Sequence, residues 1–349
     1  MNNEGWNPEV LQALSLEKEG LQLSDIFPRG ELLDLKIKEK ARPAVILVEG
    51  PINPSKIVLE PSANGIKHYP ELDNHINTVW NEAEKKFKEK FPAREFTNGL
   101  KVLVREISVD EGKVIINTGI TDYKERIATI KPEYQIAQKF GLESVSIQLA
   151  TSSIILTGDN KIRLAQLGSK TDEKNRVGGI HTVAGLLEMK ADRTPLLPTD
   201  NIVNEISEEL GFETEETRKL FVPESVLGIV QDPKIFATDI IYLVKTDVSE
   251  QEIRMRRGKS DKEVGLIFID ATAEKINDAL LVYAKTATAT ALSGLYLYGK
   301  NEFGNDWADY VRKRLTRRFT VWGRLDTTSN EFPEEVRKRT ANRLTRLHG

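Results

Sequence analysis

The sequence predicts an α/β protein of the α+β kind: a mixed sheet sandwiched between helices, with an additional α/β unit before it and a helical extension after it. Three observations predict this. The chain has 349 residues, more than one ordinary domain uses. Short runs rich in Val, Ile and Leu, bounded by Gly, Pro and Asn, alternate with longer segments of three-to-four apolar spacing. The second set of these runs reads strands, helix, strands, helix, which is the order of a mixed sheet between helices. The expected divisions are an N-terminal arm at 1–41, an α/β unit at 42–140, the sheet-and-helix domain at 141–300 and a basic helical extension at 301–349.

The elements follow in chain order. Residues 1–40 are charge-rich, with weak helical character in EVLQALSLEKEG and GELLDLKIKEK. From Arg42 the texture changes, and AVILVEG and KIVLEP read as strands around a Pro/Asn turn. Pro70 to Lys90 predicts a helix, because Leu72, Ile76, Val79, Trp80 and Phe87 form an apolar stripe. KVLVREISVD and KVIINTGITDY predict a hairpin around Glu111 and Gly112. Next come strands in SVSIQLATSSIILTG, a turn at Gly158, Asp159 and Asn160, a strand in KIRLAQLG and, after the loop SKTDEKNRVGG, the short run HTVAGLLEM. A helix from about Thr199 to Leu210 precedes strands in SVLGIVQ, DIIYLVKTD and VGLIFIDA, then a helix through AEKINDALLVYAK and the Thr/Ala-rich TATATALSGLYLYG.

Composition removes several classes of function. No segment approaches the roughly 18 consecutive apolar residues of a membrane span, and MNNEGWNPEV lacks the basic start and apolar core of a secretory signal. The expected location is the cytoplasm. The absence of cysteine excludes disulfide frameworks, thiolate zinc sites and cysteine nucleophiles. His68, His75, His181 and His348 are scattered, so a hard, oxygen-bound cation such as Mg²⁺ suits this chain better than zinc. The net charge of -3 argues against a protein built mainly to bind nucleic acid.

The chemistry-bearing segment is the helix containing NEISEELGF at 204–212. At about 100° of rotation per residue, Glu205, Glu208 and Glu209 fall within about 100° of one another, while Ile202, Val203, Ile206 and Leu210 form a separate apolar arc. Thr199 or Asp200 is expected to cap the start, and Gly211 to end the helix in the left-handed region. Like charges at this spacing repel by roughly 0.2–0.5 kcal/mol per pair, and a divalent cation would turn the repulsion into coordination. A solvated acidic face is the alternative reading of the same glutamates.

Asn204 to Phe212 resembles the second half of the nudix box at its glutamates, its aliphatic position, its glycine and its terminal hydrophobe, and Val183 to Glu188, with Gly185, resembles the box's opening. Three departures stand out: Asn204 replaces the usual arginine, Ala191 the glutamate expected six residues after Gly185, and ADRTPLLPTD lengthens the connection by about five residues, with Glu188 as a partial substitute for the missing glutamate. The resemblance implies a nudix-like hydrolase domain at 141–300 that hydrolyses phosphoanhydrides, with Mg²⁺, or Mn²⁺ in its place, as cofactor. Glu205, Glu208 and Glu209 would be the metal ligands, with Glu208, Glu209 and Glu263 as catalytic groups, Glu263 either as a further ligand or as the base that takes the water's proton. Arg254, Arg256 and Arg257, with Lys259, are candidates for substrate phosphates, against the alternative of a solvated basic loop. IINTGITDYKE, LGIVQ, VGLIFID and SGLYLYG extend the resemblance over roughly 42–300 to the eukaryotic nudix hydrolases with a long N-terminal region that cleave UDP-glucose and UDP-galactose. The products would be UMP and a sugar 1-phosphate, with Tyr123 and Lys124 either binding the nucleotide or serving as ordinary surface residues.

Two other readings remain at this stage. In one, the altered box binds a nucleotide or nucleotide-sugar as a sensor without turnover. In the other, VRKRLTRRFTVWGR binds nucleic acid through Arg312, Lys313, Arg314, Arg317, Arg318 and Arg324, with Phe319 and Trp322 as stacking groups, although an amphipathic helix paired with the protein's own acids explains the run more simply. The expected partner is a small nucleotide or nucleotide-sugar rather than a membrane or nucleic acid; the oligomeric state is open, a homo-oligomer included.

Overall fold

The strand-forming runs pair into one mixed sheet, twelve strands among the described residues. The structure, a computed structural model, describes residues 31–32, 45–93, 95–130, 135–168, 179–232, 236–256, 263–284 and 286–325. The first half of the chain supplies β1 (Glu31–Leu32), β2 (Val45–Ile52), β3 (Ile57–Pro61), α1 (Pro70–Lys90), β4 (Leu100–Asp110), β5 (Lys113–Asp122), α2 (Tyr123–Thr129) and α3 (Ile136–Phe140). The second half supplies β6 (Gln148–Leu156), β7 (Lys161–Leu167), β8 (Ile180–His181), β9 (Val183–Leu186), α4 (Pro198–Leu210), α5 (Thr214–Leu220), β10 (Phe221–Asp232), β11 (Ala237–Thr246), α6 (Glu250–Met255), β12 (Glu263–Asp270), α7 (Ala273–Tyr283) and α8 (Ala289–Leu325), the last broken at Gly304.

The local expectations from Val45 onward hold closely. The predicted α1 has the observed bounds, and Glu111 and Gly112, at φ 45° and 73°, turn β4 into β5 as a hairpin with two left-handed residues does. The capping expectation does not hold: the N-cap of α4 is Leu197, Pro198 opens the helix, and no side chain caps it. Pro is preorganised for that first position, while Asp200 instead receives a hydrogen bond from Arg218. Gly211 ends α4 at φ 76°, as expected.

β6 organises the sheet. One edge pairs in parallel with β11; the other is shared in succession by β4 at Gln148, β9 at Ala150–Ser153 and β7 at Ile155–Leu156, all antiparallel. The path runs β1-β2-β10-β11-β6-β4-β5-β3, so the sheet continues across position 140, and β2 lies beside β10. α8 runs through position 300 to its break at Gly304.

Alternation along the strands divides the core into two layers. Leu149, Ile155, Ile240, Tyr242 and Val244 belong to one core with Ile202, Ile206 and Leu210 of α4. Ile154, Ile162, Leu164, Ile241 and Leu243 belong to the other, with α7 and α8. The sheet therefore lies between helices. Among the described residues no helix is long and apolar enough to cross a membrane.

Candidate active site

α4 is set on the sheet by its apolar arc: Ile202 and Ile206 are fully buried, and Val203 and Leu210 nearly so. Asn201 fixes its start, donating from Nδ2 to Thr151 Oγ1 of β6 at 2.8 Å in a buried position. With that arc turned to the sheet, Glu205, Glu208 and Glu209 fall on the neighbouring side of the helix; Glu208 is exposed and the other two are half-buried.

Two features hold these carboxylates from beneath. Gly185 of β9 lies opposite Thr151 of β6, and any Cβ at Gly185 would overlap the Glu205 carboxylate. The glycine therefore forms a cradle that a side chain would fill. Glu209 stands over β7, where Arg163 Nη1 lies 3.6 Å from its Oε2. Arg163 is fully buried; Glu209 keeps 13% of its side-chain surface exposed.

Three carboxylates on one side of a helix have the donor chemistry for a hard divalent cation. In their present placement they are separate groups: among the described residues no set of three or more His, Asp or Glu side chains stands ready to hold a metal ion. Glu188 forms an ion pair with Lys101 of β4 at 2.6 Å.

The arginines of α6 come to the same face. Arg254 lies over the Phe268 ring at 4.7 Å, and Phe268 is the β12 neighbour of Arg163. Arg254 also donates to Glu250 at 2.7 Å and to the Leu266 carbonyl. Arg256 stacks on Phe212, just beyond α4, at 4.0 Å and donates to Glu216 at 2.8 Å. The hydrogen bond from Arg256 holds the Glu216 carboxyl below its ordinary range, and Glu216 in turn raises Arg256. Burial alone would raise Glu250, but the hydrogen bonds from Lys161 and Arg254 leave it lowered. Arg257, Lys259 and the side chain of Glu263 lie outside the described residues, although the backbone of Glu263 opens β12 opposite Leu167.

Tyr123 and Lys124 begin α2. The Tyr123 ring meets Phe96 edge-on at 6.1 Å, and Lys124 Nζ donates to Asn77 of α1 at 2.6 Å. Their link to the central strand runs through Arg126, which donates to Gln148. In the basic C-terminal run, Arg312 pairs with Asp309 and Arg314 lies over Tyr310; the side chains of Arg317, Arg318, Phe319, Trp322 and Arg324 lie outside the described set.

Sequence reasoning missed Arg163 and Asn201. The signal for Arg163 was a single cation between Ile162 and Leu164 in a short apolar strand, where a charge must be met by a partner from elsewhere in the fold. Asn201 gave no signal, since a polar residue in the first turn of a helix is ordinary.

No protein-family model matches the chain, and comparison with curated proteins also gives no match. Among solved structures, the chain is similar to DR0079 from Deinococcus radiodurans at 13% identity and a TM-score of 0.29, over 48% of this chain and 82% of that one. It is similar to a MutT protein from Methanosarcina mazei Go1 at 14% identity and a TM-score of 0.31, over 44% and 94% of the two chains. A hydrolase of the NUDIX family from Clostridium perfringens gives 12% identity and a TM-score of 0.29, over 44% and 97%. Scores this low assign neither a family nor an activity to this chain.

Proposed function

We propose that the chain is a nudix-type pyrophosphohydrolase that uses a divalent cation, Mg²⁺ or Mn²⁺, to hydrolyse the diphosphate linkage of a nucleoside diphosphate-linked compound. The finer reading is a UDP-sugar such as UDP-glucose, giving UMP and a sugar 1-phosphate. The observation that carries the reading is the seat of the Glu205 carboxylate over Gly185. The two halves of the box-like sequence, separated by a long insertion, meet at that point. Glu205, Glu208 and Glu209 would hold the cation, which would neutralise phosphate oxygens and lower the pKa of the attacking water. Arg254 and Arg256 are the groups for the phosphates, Tyr123 and Lys124 those for the nucleotide, and Glu263 the acceptor of the water's proton.

The separation of the three carboxylates favours a second reading, a sensor that binds nucleotide without turnover. A Mg²⁺-dependent screen of nucleoside diphosphate sugars, ADP-ribose, dinucleoside polyphosphates and nucleoside triphosphates decides between them. The expected result is release of a nucleoside monophosphate by the wild type and a loss of roughly 10²–10⁴-fold in Glu208→Gln and Glu209→Gln. Binding without product supports the sensor, and equal turnover in all three proteins removes the proposed metal site.

A further inference from the structure

The sequence contains two Asn-Gly pairs, Asn64–Gly65 between β3 and α1 and Asn98–Gly99 between α1 and β4. Such a pair is chemically labile, because a glycine has no Cβ to hinder attack of its backbone nitrogen on the preceding side-chain amide. Both asparagines are exposed; Gly99 is exposed as well, and Gly65 is half-buried. Exposure alone would make Asn98 the more reactive of the two. Hydrogen bonding reverses that order. The Asn98 amide is held at both ends: Nδ2 donates to Asp122 Oδ2 at 2.8 Å, and Oδ1 accepts from the Lys124 backbone N–H at 2.8 Å. Asp122 is itself fixed as the N-cap of α2, its Oδ1 accepting from the Glu125 backbone N–H at 2.7 Å. At Asn64 only the backbone is fixed. Its N–H donates to Ser62 Oγ at 3.1 Å, and its C=O accepts from the Ile120 N–H of β5 at 3.1 Å. Among the described residues, neither the Asn64 amide nor the Gly65 N–H has a hydrogen-bond partner.

We propose that Asn64 is a site of spontaneous deamidation in the folded protein, and that Asn98, with the same local sequence chemistry, is protected by its two hydrogen bonds. The Gly65 nitrogen bonds to Asn64 Cγ, the bond from Cγ to Nδ2 breaks, and ammonia leaves with the proton given up by Gly65. Water then opens the cyclic imide at either carbonyl. One opening gives aspartate; the other gives isoaspartate, in which the chain continues through the former side chain. Both products add a negative charge, and isoaspartate also adds a carbon to the backbone path. The fold leaves little room for that longer path. A Cβ at Gly119 would lie 2.2 Å from the Asn64 carbonyl oxygen, so this carbonyl sits closely on β5 and the rerouted loop must shift or release Ile120. The proposal stands independently of any hydrolase activity.

Peptide mapping by mass spectrometry tests it, on the full chain incubated at mildly alkaline pH both in native buffer and in urea. In the native wild type, Asn64 is expected to convert roughly tenfold or more faster than Asn98, since Asn98 must first release two hydrogen bonds, one of them to a carboxylate. In urea the two rates should converge, because only the local chemistry then acts. Gly65→Ala, where a Cβ would approach only the Ile120 carbonyl oxygen, at 3.3 Å, should suppress conversion at position 64. Asp122→Ser, which retains a capping hydroxyl for α2 and removes the carboxylate from Asn98, should accelerate Asn98 without changing Asn64. Equal native rates at the two sites, or faster conversion at Asn98, would overturn the proposal. So would an unchanged Asn64 in native protein over a period in which the urea-unfolded chain converts at both sites. Protein converted at Asn64 should melt below fresh protein; equal melting temperatures would overturn the crowding assigned to Gly119.

Discussion

At Gly185 the lack of a side chain decides where a candidate metal ligand can sit. A methyl group there would occupy the space of the Glu205 carboxylate, so Gly185→Ala must either turn Glu205 aside or lift α4 from β9. Overpacking of this kind costs roughly 1–3 kcal/mol. The expected outcome is a lower melting temperature together with Mn²⁺ affinity reduced by about tenfold or more, since each 1.4 kcal/mol of lost ligand geometry is a factor of about ten. Wild-type affinity in a folded Gly185→Ala protein would show that the seat is irrelevant to cation binding. Glycine at this position is visible in the sequence as one letter of a box-like pattern, but the reason for it is a carboxylate 20 residues further on.

At the scale of elements, helices on opposite faces are fastened to the same strand by buried polar bonds. Asn201 ties α4 to β6 through Thr151, and Asp239 of β11 ties β6 to α8, accepting from Ser152 at 2.7 Å and from Thr290 at 3.0 Å. Burial raises the Asp239 carboxyl above its ordinary value of 3.8, and those two hydrogen bonds offset the rise only in part. The folded state therefore holds this proton more tightly than the unfolded chain does. The stability it contributes is fully present below 3.8 and is lost as pH rises from there through its raised folded value. Asp239→Asn keeps an acceptor for Ser152 and removes the titration. Chemical denaturation of both proteins across that window should show the wild type losing stability relative to the variant as pH increases. Identical slopes would refute this assignment. The comparison with the variant matters because Asp159, Asp192, Glu216 and Glu250 are lowered and contribute in the opposite direction.

Across the whole molecule, one sheet holds strands from both sides of position 140. β2 pairs with β10, so a strand from the first part of the chain covers an edge belonging to the second. β4 adds the Leu103–Gln148 pairing with β6, hydrogen bonds from Val104 to Ile147 and from Val102 to Leu187 just after β9, and the Lys101–Glu188 ion pair. Residues 141–349 alone would leave the β10 edge that faces β2, and the end of β6 that faces β4, without a partner, and natural sheets protect such edges. That fragment is expected to lose the cooperative melt of the full chain and to aggregate. A fragment melting at the wild-type temperature would show that the second part is an independent domain.

Most secondary structure from Val45 onward was legible because its causes are local. Apolar spacing in α1, the Glu111–Gly112 turn and the glycine ending α4 act within a few residues of themselves. The sequence by itself also determined that Glu205, Glu208 and Glu209 share one side of a helix, since helical rotation alone brings them together. Only the tertiary structure decided that β2 joins β10, that Gly185 receives Glu205, and that Arg163 lies under Glu209. A strand edge accepts any partner with the right face and register, and a buried charge requires an opposite charge without specifying where in the chain it comes from. Those choices are made by burial of the whole sheet between its helices, and they convert an acidic helix face into a set of supported carboxylates.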